Sequence, residues 1–334
     1  MSKVPEGEKE ELFSIHFLKF LSLIGVVFIH YSFFFKEQRF HSEIFRFCVP
    51  IFILSSVFLF ERANIHKELG LSFLSKRLLR LSIPFICWSV VYFLIFPHRQ
   101  TAPLKILTTH FLGYGWSGQY YFFILFQVTI IYFFIRRVKL INGYYLLAIG
   151  VSTLIIYWIL FYGIYRNALV LKISNRLFIY WTFYIIVAIW LARNYSNIRN
   201  HKYRRSVWLV ALLMSFPLLI SLEEHFYPIT GRLEEYCKVS ILIASTCLFG
   251  LVLMEESLVK IIISDHLKNL IRMVSKYSLG IFCLNPLVIT MFQKVAIYYR
   301  IQNGNILISI PLIIIICVSI SLVLEKLKLG VLIK

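Results

Sequence analysis

Apolar residues in this chain do not alternate with polar ones at the spacing of a surface helix or strand. They gather into runs of about 17–25 residues, separated by short polar links. The runs fall at 13–35, 45–61, 81–97, 118–135, 142–163, 176–192, 206–222, 235–254, 273–293 and 306–324. Each suits a helix crossing a hydrocarbon layer about 30 Å thick at a rise of about 1.5 Å per residue. Helix is the expected conformation because lipid cannot satisfy exposed backbone N–H and C=O groups, and no run shows the alternation of a membrane barrel strand. The pattern predicts an all-α, polytopic membrane helix bundle of about ten transmembrane helices. Residues 1–12 would form an N-terminal cytoplasmic segment, 13–327 the transmembrane domain and 328–334 a cytoplasmic tail. Glu6, Glu8, Glu10 and Glu11 precede the first run and argue against a cleaved secretory signal, which begins with basic residues.

Composition agrees with the pattern and excludes the soluble classes. Of 334 residues 59% are hydrophobic and 15% charged, at a mean hydropathy of +0.78. Net charge is +19, but the 35 Lys and Arg residues are dispersed between apolar runs, so the charge reads as topological and nucleic acid is not the expected partner. With the N-terminus inside, 22 of them, including Arg62, Lys67, Lys76, Arg77, Arg80, Arg136, Arg137 and Arg193, fall on the cytoplasmic side. The other side holds 12, among them Arg46 and Arg176, and Lys19 lies within the first run. That asymmetry favours an N-in, C-in orientation. Cys48, Cys87, Cys237, Cys247, Cys283 and Cys317 sit in or beside apolar runs without metal-binding spacing, so no metal is expected.

Ionisable residues at membrane depth cost at least about 2.5 kcal/mol each on insertion scales, so they carry the first functional question. Lys19 and His30 are eleven residues apart. Eleven helical steps return to within about 20° of the same direction with an axial separation of about 16 Å, which places both on one face. His30, toward the outer half, can serve as a general base when its ring is neutral, or can simply bond a neighbouring helix. Lys19 can act in a site or snorkel to the inner headgroups. Lys76, Arg77 and Arg80 stand before or within the first turn of the third run, where a helix N-terminus would add to their attraction for a phosphorylated cytosolic ligand. Anchoring to anionic lipid is the plainer reading of the same residues. A further cluster, Glu223, Glu224, His225, Arg232, Glu234 and Glu235, would face outside; it can bind an acceptor or merely solvate a hairpin.

In order along the chain, these features resemble the acyltransferase family 3 membrane proteins, which include polysaccharide O-acyltransferases and intercellular-adhesion C-like proteins. Lys19 and His30 are similar to the family's basic-x10-His pair, FCVPIFILSSVFLFER to its Pro-containing second helix, and KRLLRLSIPFICW to its Arg-x-x-Arg entry. QYYFFILFQVTIIYFF and KYSLGIFCLNPLVI are similar to two later helices, so the resemblance spans residues 13 to about 290. Lys19 stands where Arg is usual, Ser56 where Gly is usual, Gln119 and Tyr121 where His and Trp are usual, and Asn285 where His is common.

The resemblance implies an O-acyltransferase of a bacterial cytoplasmic membrane that takes an acyl group, acetyl above all, from cytosolic acyl-coenzyme A. The acceptor would be a hydroxyl of a carbohydrate or lipid-linked sugar. His30 and Lys19 would be catalytic, Arg77 and Arg80 would bind coenzyme A, and Gln119, Tyr121 and Asn285 would contact substrate. Two other classes stay open: a transporter or export helper, with Pro84, Pro217, Pro286 and Pro311 breaking helices around a path, and a purely structural subunit.

Overall fold

A computed structural model describes residues 12–34, 43–96, 103–139, 142–158, 176–200, 207, 209–212, 214–215, 239–298 and 305–333. The run expected at 206–222 lies largely outside them, as do Cys237 and the Glu223–Glu235 cluster. Helix is the only regular secondary structure among the described residues, with no strand among them. The helices are α1 (Phe13–Phe34), α2 (Cys48–Asn64), α3 (Leu71–Ile95), α4 (Pro103–Phe111), α5 (Tyr120–Arg137), α6 (Gly143–Trp158) and α7 (Ile179–Arg193). They continue as α8 (Tyr195–Asn200), α9 (Val239–Met254), α10 (Glu256–Ile262), α11 (Asp265–Lys276), α12 (Ser278–Tyr298) and α13 (Ile306–Lys326). Short 3-10 turns at Glu43–Phe47 and Gly330–Leu332 precede α2 and follow α13.

Among the described residues, six helices are long and apolar enough to cross a membrane: α1, α2, α3, α5, α12 and α13. A seventh is reached if α9 and α10, bent by 73° at their junction, count as one span. The apolar runs that begin near 142 and 176 form the shorter helices α6 and α7. Large apolar side chains remain on the outside, such as Leu94 at 70%, Ile315 at 60% and Leu307 at 82% exposure, as expected of surfaces whose solvent is lipid.

Similar apolar composition produces different placements. α1 is central, touching α2, α9, α10, α11, α12 and α13, whereas α3 packs mainly on α5 and the C-terminal turn and leaves Leu79, Ile86 and Val90 outward. Small residues set the close approaches. A Cβ at Gly25 would meet Cys48 Sγ at 2.1 Å, so the absence of a side chain lets α1 and the start of α2 touch. A Cβ at Gly280 would meet Ser321 Oγ at 2.6 Å and Ile333 at 2.9 Å. There the last residues fold back: Trp88 Nε1 donates to Leu332 O at 3.0 Å, Gly280 N donates to Ile333 O at 3.2 Å, and Ile333 is fully buried.

Two buried carboxylates tie helix ends together. Glu256 accepts from Phe13 N at 3.1 Å, Ser14 Oγ at 3.3 Å and Tyr195 OH at 2.9 Å, capping α1, and pairs with Lys260 at 2.8 Å. Glu61, with no exposed surface, gathers Arg193 Nε at 2.7 Å, Arg136 Nη1 at 3.3 Å and Tyr132 OH at 3.0 Å, so α2, α5 and α7 end together. Pro84, Pro286 and Pro311 lie inside continuous helices, contrary to the expectation that they break them; Pro217 is outside the described residues.

Candidate active site

The third apolar run is entered earlier than the hydropathy indicates. α3 starts at Leu71, so Arg77 and Arg80 sit in its second and third turns rather than at its N-terminus. The free N–H groups of that terminus are therefore displaced from them, and the helix dipole does not add to their attraction for an anion, contrary to the expectation from sequence. Their common face survives: three residues apart, both line a cavity of about 240 Å³. Lys19 lines it too, with Tyr121 and the apolar side chains Phe52, Phe60 and Phe282. Among the described residues around it there is no carboxylate, so three cations meet unopposed. Arg77 and Arg80 also line a second, outer pocket with Asn64, Lys67, Phe73 and Lys76, which makes the pair a threshold between the two spaces.

Arg77 is held by ring faces. Its guanidinium lies 4.1 Å from the centre of Phe60 and 5.8 Å from that of Phe73. Both rings pack on Tyr132, at 6.0 and 6.2 Å, and Tyr132 donates to Glu61. Arg136 Nη2 donates to the carbonyls of Asn64 at 2.6 Å and Lys67 at 2.9 Å, pinning the loop that leads into α3. Glu61, Arg136 and Arg193 thus support the pocket from behind, a role that counting charges by side does not reveal. The available signal was an acidic residue inside the apolar run FLFER.

His30 does not line the cavity. It is half-buried on α1, with Nδ1 2.5 Å from Asn285 Oδ1, and Asn285 stands one turn beyond the cavity residue Phe282. Asn285 is fully buried and faces α1. Arg46, on the turn before α2, is within electrostatic reach of His30 and Cys48. Gln119 is also fully buried; its amide donates to Ser89 Oγ at 2.7 Å and accepts from Gly115 N at 2.6 Å, bracing the link into α5. Of the seven residues singled out by sequence, Lys19, Arg77, Arg80 and Tyr121 share the cavity. His30 and Asn285 form a pair beyond it, and Gln119 stands apart. Among the described residues no group of three or more His, Cys, Asp or Glu is placed to hold a metal ion.

A family model described as an acyltransferase domain matches residues 12–325, nearly the whole chain. No curated protein and no solved structure matches.

Proposed function

The chain belongs to acyltransferase family 3, and from that premise we propose that it is a membrane O-acyltransferase. The donor would be cytosolic acyl-coenzyme A, acetyl-coenzyme A foremost, the acceptor a hydroxyl of a carbohydrate or lipid-linked sugar, and the general base His30. The observation that carries this reading is the convergence of Lys19, Arg77 and Arg80 on one cavity with no carboxylate among its described lining residues. Such a cavity suits a polyanion, and forked guanidinium groups suit phosphate oxygens.

Phosphates held by Arg77 and Arg80 at the threshold would leave the pantetheine arm to run inward past Lys19 and Phe282 toward His30. Lys19 stands about 16 Å along α1 from His30, too far to stabilise an oxyanion formed there. This reading assigns Lys19 to the donor's phosphates or pantetheine, and gives the positive field near the reacting carbonyl to Arg46. His30 takes the proton of the acceptor hydroxyl as the oxygen attacks the thioester carbonyl. Collapse of the tetrahedral intermediate breaks the C–S bond, and the departing thiolate takes the proton from His30, leaving an ester and the coenzyme A thiol. An N-in, C-in orientation in a bacterial cytoplasmic membrane belongs to the same reading, since it turns the outer pocket toward the cytosol.

Equilibrium binding of acetyl-coenzyme A to the full chain in lipid nanodiscs tests it. Arg80→Ala removes a charge-assisted hydrogen bond and should weaken binding by about 1.5–3 kcal/mol, or about 10- to 150-fold. Unchanged affinity in a folded Arg77→Ala/Arg80→Ala protein would return the pair to lipid anchoring. A parent that binds no acyl-coenzyme A would favour the export-helper reading.

A further inference from the structure

Resting on the assignment of His30 as the base, we propose that Asn285 is a positioning residue that holds His30 protonated on Nδ1 and leaves Nε2 as the proton acceptor. Pro286 lies inside α12 and has no N–H to give to the carbonyl of Phe282 one turn earlier. Asn285 Nδ2 takes over that bond, donating to Phe282 O at 2.8 Å and to Ile281 O at 2.9 Å. Both protons of the amide are thereby used, and its orientation is decided: reversed, Oδ1 would face two carbonyl oxygens. Tyr92 OH, donating to Cys283 O at 2.7 Å, steadies the same turn from α3.

With the amide fixed, Oδ1 is the atom presented to α1, 2.5 Å from His30 Nδ1. A carbonyl oxygen only accepts, so the hydrogen between them belongs to Nδ1. A neutral imidazole carries one ring hydrogen, and Nε2 therefore keeps its lone pair. Nε2 makes no hydrogen bond among the described residues, which leaves it available to a hydroxyl. The opposite tautomer would set two lone pairs against each other at a buried contact. Proline thus acts at a distance: the carbonyl it strands orients Asn285, and Asn285 orients the histidine.

The tautomer can be read directly. ¹⁵N NMR of the full chain in nanodiscs, labelled at histidine and assigned by comparison with His30→Gln, should show His30 protonated at Nδ1 at neutral pH. A ring protonated at Nε2 would overturn the proposal without any reference to activity. Two variants separate positioning from mere support of the helix, because Asn285→Leu and Asn285→Asp both lose the donation to Phe282, while only the Leu variant loses the oxygen facing Nδ1. Asn285→Leu should lower turnover by about 10- to 100-fold, part of the roughly 10²–10⁴-fold a placed base supplies, with acetyl-coenzyme A affinity within about twofold of parental. Asn285→Asp keeps an oxygen facing Nδ1 but sets its other oxygen against two carbonyls and adds charge beside the ring, so it should keep Nδ1 protonated with turnover between those of the parent and Asn285→Leu. Equal impairment of the two, with the tautomer unchanged in both, would reduce Asn285 to a structural role. Failure of the base assignment itself is read separately, from the rate of His30→Ala.

Discussion

Replacing Glu61 by Ala tests how the bundle and the cavity are held together. The carboxylate is completely buried and accepts from Arg193, Arg136 and Tyr132, at 2.7, 3.3 and 3.0 Å. Without it the Arg136 side chain, 5% exposed, and the Arg193 side chain, 23% exposed, lose their counter-charge. Removing one partner of a buried pair costs about 3–5 kcal/mol, because the stranded charge cannot be rehydrated where it sits. Arg193, the more accessible guanidinium, can recover some hydration, which places the expectation for Glu61→Ala toward the lower end. Tyr132→Phe removes a single hydroxyl-to-carboxylate bond and should cost about 1.5–3 kcal/mol while keeping the ring that backs Phe60 and Phe73. By contrast the Lys139–Glu68 pair, with side chains 78% and 95% exposed, should be lost without measurable effect, as surface pairs usually are. Equilibrium unfolding in mixed micelles would rank the three. Acetyl-coenzyme A affinity measured beside it should fall in Glu61→Ala, because Arg77 leans on rings that Glu61 positions. If Glu61→Ala unfolds within about 0.5 kcal/mol of the parent, the cluster is not the clamp described here and the reasoning from burial fails.

His30→Ala should reduce acyl transfer by about 10²–10⁴-fold with donor affinity retained, and parental turnover would remove His30 from the chemistry. Gly25→Ala places a methyl group against Cys48 Sγ and Phe45 and should destabilise the protein by about 1–3 kcal/mol, measured by the same unfolding assay; Gly25→Ala combined with Cys48→Ala should recover part of the loss. Cysteine labelling should report positions 66 and 138 from the cytoplasm and position 100 from outside, and an inverted pattern would overturn the orientation on which the donor route depends.

Membrane helices were legible in the sequence because one physical rule governs them: in lipid, a backbone must satisfy itself within the segment. Their neighbours were less so. Length and hydropathy look alike in α3, which offers most of its surface to lipid, and in α1, which is buried among six helices, because composition does not encode neighbours. Among the described residues the run near 176 forms a shorter helix, and the 235–254 run ends at a sharp bend.

Within the candidate site, sequence alone determined which side chains were anomalous at membrane depth, and helical spacing put Lys19 with His30 and Arg77 with Arg80 on common faces. Only the tertiary structure decided which of those faces meet. It joined Lys19 to the two arginines and Tyr121 in one cavity, left His30 outside it, and turned Asn285 toward the histidine. The support of Arg77 by Glu61 through Tyr132 joins residues 71 and 16 apart with no spacing in common. Periodicity along a chain reports the faces of single helices, and a site made where five helices meet depends on their mutual packing, which no local pattern records.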